Sequence, residues 1–339
     1  MRRILTWLLC AAILGSSFCG AVSAAPGISA QRAILVDALS GRVLYERDAD
    51  AKSLIASTTK ILTALIVCEN CDLSQVVQIP KEAVGVEGSS MYLREGERLT
   101  VEQLLYGLML RSGNDAAVAL ALHCSGSIEA FAEKMNGKAA QLGMTSSHFV
   151  NPHGLDADGH YSTARDLSRL AIAAMENETL RRIAATKSIS FGERSLTNHN
   201  KLLWRYEGAI GIKTGYTKAA GRILVSAAER NGRRLVCVSI NAPNDWSNHA
   251  ALLDYGYSQM PVQNLVSAGQ CMAKAMLLSG ETVELKAEEP FFYPLLPGEV
   301  PEYKLLCPEG AWQQDELEHA VLIVRLYGKE IGRVELTAQ

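Results

Sequence analysis

The apolar positions of this chain gather into short, continuous strand-like runs in two separate stretches and follow a helical period between them. Ala33-Ile34-Leu35-Val36-Asp37 and Arg42-Val43-Leu44-Tyr45-Glu46 flank Ser40-Gly41, which predicts a hairpin. Arg222 to Ala228 and Arg234 to Ile240 make a second pair, joined through Asn231-Gly232, a dipeptide that accepts the positive φ angles of a tight turn. The run from Ile210 to Tyr216 leads into them. These segments predict one antiparallel sheet of about five strands, contributed by both ends of one domain. Between them, Thr58 to Val67 reads as a buried helix, and Thr100-x-x-Gln103 is a capping box ahead of Leu104, Leu105, Leu108 and Met109. Asp115 to His123 and Ile128 to Leu142 read as further helices, and Thr163-x-x-Asp166 caps one more. An all-helical block is therefore inserted into a β-sheet domain. After Tyr257 the pattern changes: Pro290, Pro294, Pro297, Pro301 and Pro308 punctuate strand-like runs such as Ala320 to Leu326 and Arg333 to Leu336. A small β-rich second domain is expected over residues 261–339, after a main domain spanning 25–260.

The first residues change this picture. Met1-Arg2-Arg3 precedes an apolar run from Ile4 to about Leu14 and small residues ending Ala21-Val22-Ser23-Ala24. A charged start, a short apolar stretch and small residues before the cut describe a secretory signal peptide over residues 1–24. A membrane span needs about 20 apolar residues. The chain has 339 residues and a formal net charge of -3, and cleavage removes Arg2 and Arg3. That acidic body excludes the basic footprint of a nucleic-acid binder. An exported enzyme-sized protein is expected. Six cysteines follow the leader (Cys68, Cys71, Cys124, Cys237, Cys271 and Cys307), too few for a disulfide scaffold at this length. Cys68-x-x-Cys71 reads as a disulfide, as half a metal site, or as two cysteines near a helix end. No second pair with ligand spacing accompanies it, and no metal or other cofactor is expected.

Three short motifs carry the chemistry: Ser57-Thr58-Thr59-Lys60, Ser112-Gly113-Asn114 and Lys213-Thr214-Gly215. Each is weak alone. In this order, on a helix start, an interhelical loop and a strand, they supply the parts of an acyl-transfer site. Ser57 at a helix start places its hydroxyl near the positive end of the dipole. Lys60 lies one turn on and reaches that hydroxyl. A free lysine, with a pKa of about 10.4, is a poor base, so burial and a second cation such as Lys213 are needed to lower it. Ser112 can relay a proton, Asn114 can bind the substrate's peptide amide, and Thr214 can meet its carboxylate. Gly215 would keep the strand edge clear for an acyl chain. The backbone N–H groups of Ser57 and Tyr216 would form the oxyanion pair. His153 and His160 invite a Ser-His reading, against which stands the commoner use of histidine to pin a turn.

With these motifs the chain resembles the penicillin-binding D-alanyl-D-alanine carboxypeptidases, the low-molecular-mass penicillin-binding proteins. Leu35-Val36-Asp37-Ala38, Ile55 to Lys60, Leu110 to Ala117, Phe149 to Leu155 and Gly211 to Thr217 with Ala220-Gly221 are similar to family blocks, and the likeness spans roughly residues 30–258. The resemblance implies an α+β, β-lactamase/transpeptidase-like fold. It implies Ser57 as nucleophile, Lys60 as general base, Ser112 as proton relay and Lys213 as a substrate-binding cation. The implied substrate is the D-Ala-D-Ala end of a peptidoglycan stem peptide, with β-lactams as inhibitors. Leu54 departs from a proline frequent in the family. An arginine that clamps the substrate carboxylate in some members has no counterpart after Ala242 to Trp246, which leaves His249 and Arg222 as candidates. Membrane-bound members end in an amphipathic anchoring helix, for which the closing segment Arg333 to Gln339 is too short, so membrane association stays open.

Three rival functions share these motifs. A β-lactamase of class A carries a deacylating glutamate past the second motif. The stretch from His148 to Gly154 has no carboxylate, and Glu176 and Glu178 follow a capped helix that points them to solvent, so a penicilloyl ester on Ser57 is expected to persist. A sensor would need a transducing segment. Transpeptidase or endopeptidase action differs only in groove shape and acceptor, which the motifs do not encode.

Overall fold

The computed structural model describes residues 25–306 and 320–339, and divides them between a unit over Ala25–Gly256 and a second over Tyr257–Gln339. The leader over residues 1–24, with Cys10 and Cys19, lies outside the described residues, as do Cys307 and Pro308.

In the first unit, the chain opens with β1 (Arg32–Asp37) and β2 (Val43–Arg47) and tightens into a 3₁₀ turn at Ala56–Thr59 before α1 (Lys60–Asn70). A short ribbon, β3 (Val76–Gln78) with β4 (Arg98–Thr100), precedes α2 (Val101–Leu110), α3 (Asn114–Ser125) and α4 (Ile128–Gln141). Next come α5 (Ala164–Glu176), α6 (Glu178–Ala185), the ribbon β5 (Ser188–Phe191) and β6 (Arg194–Thr197), and the single turn α7 (Leu202–Arg205). The unit ends with β7 (Ala209–Thr217), β8 (Gly221–Arg230), β9 (Arg233–Ile240) and α8 (Asp245–Gln259), which runs past its boundary. The sheet order is β2-β1-β9-β8-β7, antiparallel at each pairing. The first strands of this unit therefore join its last ones in one sheet, and the helices between form the inserted block. Asn231 and Gly232, at φ 51° and 76°, make the two-residue link from β8 to β9.

The core explains the helix order. Ile61, Leu62, Ala64, Leu65, Ile66 and Val67 of α1 are all buried, so this helix is apolar around its whole circumference and runs through the interior. Each large side chain of this kind contributes about 1.5–3 kcal/mol on burial. Helix α2 starts with the complete capping box: the Thr100 hydroxyl accepts from the Gln103 N–H at 3.1 Å and the Gln103 side chain accepts from the Thr100 N–H at 2.9 Å. Thr163 caps α5 by accepting from the Asp166 N–H at 3.0 Å. The expected helix from Thr58 begins instead at Lys60, because the Thr58 hydroxyl donates to the Ile55 carbonyl at 2.6 Å and helps hold the tighter turn that carries Ser57.

The second unit is built of β10 (Val262–Val266), β11 (Cys271–Met276), β12 (Thr282–Ala287), β13 (Phe291–Pro294), β14 (Glu302–Leu306), β15 (Ala320–Leu326) and β16 (Lys329–Ala338). A five-stranded sheet, β11-β12-β16-β15-β14, stands beside the pair β10-β13. Val283, Leu285 and Ala287 alternate inward along β12 and join Leu322, Val324 and Leu336 in a core of their own. Among the described residues no helix is long and apolar enough to cross a membrane.

The capping box gives a direct test of how α2 is held. Replacing Thr100 with alanine removes one acceptor and is expected to cost about 1 kcal/mol. Urea unfolding followed by circular dichroism should show a lower midpoint with an unchanged slope.

Candidate active site

The site is assembled around a lysine inside the core. Lys60 is 0 % exposed and stands at the first turn of α1. Its Nζ lies 2.9 Å from Ser57 Oγ, 2.6 Å from Asn114 Oδ1 and 2.5 Å from the His153 carbonyl oxygen. Three acceptors satisfy an ammonium, which has three protons to donate. A neutral amine has only two, and its lone pair can then accept from the serine hydroxyl. Burial, and after it the charge of Lys213, pushes the Lys60 pKa well below that of an ordinary lysine, against a smaller opposing effect of Asp115. With its charge disfavoured in this way, the amine can take the proton from the Ser57 oxygen.

Ser57 is half-buried on its 3₁₀ turn, between Ala56 at φ 45° and the helix. Its hydroxyl oxygen is engaged by the Lys60 amine at 2.9 Å. Backbone close approaches hold the turn. A Cβ on Gly154, whose φ is 87°, would lie 1.9 Å from the Ala56 carbonyl oxygen, so this position needs glycine on two counts. A Cβ on Gly215 would press on Ile55 O at 3.3 Å and on Thr58 Cγ2 at 3.3 Å. The small residue of the third motif thus seats the serine turn against β7, a tighter constraint than the open groove expected from the sequence.

Asn114 opens α3 and is engaged at both ends of its amide. Its oxygen receives the Lys60 bond and its nitrogen donates to the Glu87 carbonyl. Asn114 positions the lysine before any substrate amide arrives. Ser112, two residues earlier, is buried on the α2–α3 loop at φ 61°, a region of backbone space that non-glycine residues seldom occupy. Asp115 fixes this corner. Its carboxylate accepts from Ser90 Oγ at 2.6 Å and from the N–H groups of Met91, Leu93 and Ala116 at about 3 Å. Asp115 is a site residue that the three motifs do not include. The carboxylate directly after Ser-Gly-Asn, in the first turn of a helix, was the available signal.

Lys213 is 1 % exposed on β7, with its Nζ donating to the Thr214 carbonyl at 3.0 Å. Burial lowers its pKa to about 7. Burial, and then the charges of Lys213 and Arg111, hold the His199 imidazole at about 4, so this end of the site is electropositive. Thr214 is half-buried and Tyr216 is 65 % exposed on the same strand. Because β7 is the last strand of its sheet, part of its backbone is open to pairing with an extended chain.

Both histidines of the loop pin turns. His160 Nε2 meets Thr59 Oγ1 at 2.8 Å while its Nδ1 accepts from the Val150 N–H, and His153 Nδ1 accepts from the Leu155 N–H at 3.1 Å. Burial first, and neighbouring charges second, hold both near 4, so they are neutral at working pH. His249 cannot clamp a carboxylate: it is fully buried between Ser226 Oγ at 2.6 Å and Ser239 Oγ at 2.8 Å. Arg222 pairs with Asp245 at 2.9 Å. Among the described residues no group of three or more His, Cys, Asp or Glu side chains could hold a metal ion.

The chain is similar to known proteins over most of its length. The D-alanyl-D-alanine carboxypeptidase family model matches residues 20–244. The chain is 42 % identical over 248 residues to D-alanyl-D-alanine carboxypeptidase DacB2 of Mycobacterium tuberculosis, covering 70 % of this chain and 85 % of that one. It is 34 % identical over 276 residues to DacF of Bacillus subtilis, covering 77 % and 71 %. The structure resembles penicillin binding protein 5 from Haemophilus influenzae with a TM-score of 0.80 and 27 % identity, covering 94 % of this chain and 98 % of that one. Its motifs, its fold and its relatives agree, and the chain belongs to the D-alanyl-D-alanine carboxypeptidase family.

Proposed function

We propose that the protein is a serine peptidase of the peptidoglycan layer, acting outside the cytoplasm, that removes the terminal D-alanine of stem peptides through an ester on Ser57. The observation that carries the assignment is the 2.9 Å contact between Ser57 Oγ and the buried Lys60 amine. Neutral Lys60 takes the Ser57 proton as Oγ attacks the penultimate D-alanyl carbonyl. The developing oxyanion is received by the N–H groups of Ser57 and Tyr216. Lys213 and Thr214 hold the terminal carboxylate, and Asn114 binds the peptide amide after loosening from Lys60. The C–N bond breaks as the proton passes through Ser112 to the leaving amine, and D-alanine departs. Water then attacks the ester, Lys60 takes its proton, and Ser57 is restored. A β-lactam enters the same first step. Its ring stays tethered to the acyl group, and Glu176 and Glu178 are exposed, so neither is poised as a base for the second step. The penicilloyl ester accordingly persists.

Two measurements test the assignment. Ser57→Ala should abolish labelling by a fluorescent penicillin and release of D-alanine from a stem pentapeptide, with the circular dichroism spectrum unchanged. Retained labelling would move the nucleophile elsewhere. The pH profile should be bell-shaped. Lys60 must be deprotonated, so activity rises with pH through its lowered pKa. Lys213 must stay protonated to hold a carboxylate, so kcat/KM falls as pH passes about 7. A bound carboxylate retains that proton, so the alkaline limb of kcat should lie at higher pH than that of kcat/KM. A kcat/KM flat from about pH 6 to 9 would remove Lys213 from the carboxylate site.

A further inference from the structure

Three thiols outside the acyl-transfer site gather where two of its helices end. Cys68 lies in the last turn of α1 and Cys71 is its C-cap, with the Cys71 N–H bonded to the Val67 carbonyl at 3.0 Å. Cys124 lies in the last turn of α3, just before Gly126 ends that helix in a left-handed conformation. All three are half-buried against the main core and stand as free thiols. Cys71 and Cys124 are neighbours across the two helix ends, with Lys134 close to both. From α4, the Lys134 Nζ donates to Cys124 Sγ at 3.7 Å.

We propose that Cys71 and Cys124 form a disulfide that staples the far ends of α1 and α3, leaving Cys68 as a thiol. Neighbouring thiols at the ends of two packed helices must approach each other to reach the bonded separation of about 2.05 Å. The oxidant is an external disulfide, of the kind an oxidising compartment supplies. The Cys124 sulfur, with the Lys134 ammonium beside it to offset negative charge, attacks that disulfide and displaces one thiolate. Cys71 loses its proton and attacks Cys124 Sγ, displacing the second. Two protein thiols are oxidised and one external disulfide is reduced to two thiols. The bond closes a loop from residue 71 to residue 124, which restricts the unfolded chain. It also bears on the site from a distance, because α1 begins with Lys60 and α3 begins with Asn114, the two residues joined at 2.6 Å.

The test needs no assumption about where the chain is exported. The purified protein is treated with oxidised glutathione at neutral pH, quenched in acid, alkylated, digested without reduction and mapped by mass spectrometry. The expected result is a peptide pair joining Cys71 to Cys124, retained in Cys68→Ser and lost in Cys71→Ser and Cys124→Ser. The oxidised protein should melt several degrees above its dithiothreitol-treated form, a gap that closes in Cys124→Ser. A Cys68–Cys71 link, or full alkylation of Cys71 and Cys124 after oxidation, would overturn the proposal. Equal melting temperatures for the linked and reduced forms would overturn the staple.

Discussion

The structure depends on a lysine amine held inside an apolar core beside a serine. Burying Lys60 disfavours its charge, and Lys213 adds to that pressure, so the core that stabilises the fold also prepares the base. Such burial is tolerable only because three oxygens, from Ser57, Asn114 and His153, meet the amine. Those oxygens come from the 3₁₀ turn, the start of α3 and the loop after α4. The need to satisfy one nitrogen therefore fixes the relative placement of three separate parts of the chain.

Backbone geometry carries the rest. Ala56 and Ser112 both adopt positive φ, a conformation that costs about 1–3 kcal/mol at a non-glycine residue and persists only where the surroundings enforce it. Gly154 and Gly215 allow two strands of backbone to close on the serine turn, and the Asp115 carboxylate gathers the N–H groups of the adjacent loop. The serine is thus presented by packing that a side chain of almost any size would disturb.

Much of this was legible in the residues, and what was missed has physical causes. Asn231-Gly232 and the Thr100-Gln103 box are local codes, in which the residue type and the backbone it requires are the same information. The strand runs read correctly because β1, β8 and β9 are buried on both faces and so stand out as continuous apolar stretches, and the helical run of α1 because it is buried on all sides. The spacing Ser-x-x-Lys placed amine and hydroxyl on one face, and the sheet order brought Lys213 near enough to act on Lys60. The role of Gly215, the anchor at Asp115 and the sealing of His249 between two serines are long-range contacts that no local pattern encodes. Ser57 was expected at a helix N-terminus, and one side-chain bond from Thr58 to Ile55 was enough to help hold a tighter turn there.

The account stands on Lys60 being neutral when the hydroxyl of Ser57 meets it. The most direct measurement is an NMR titration of the lysine side-chain carbons in the folded protein, with Lys60 assigned through Lys60→Arg. The account predicts that Lys60 titrates well below the surface lysines and that Lys213→Met moves it upward, because one positive neighbour is gone. A Lys60 that keeps its proton up to the ordinary lysine pKa of about 10.4 would contradict it.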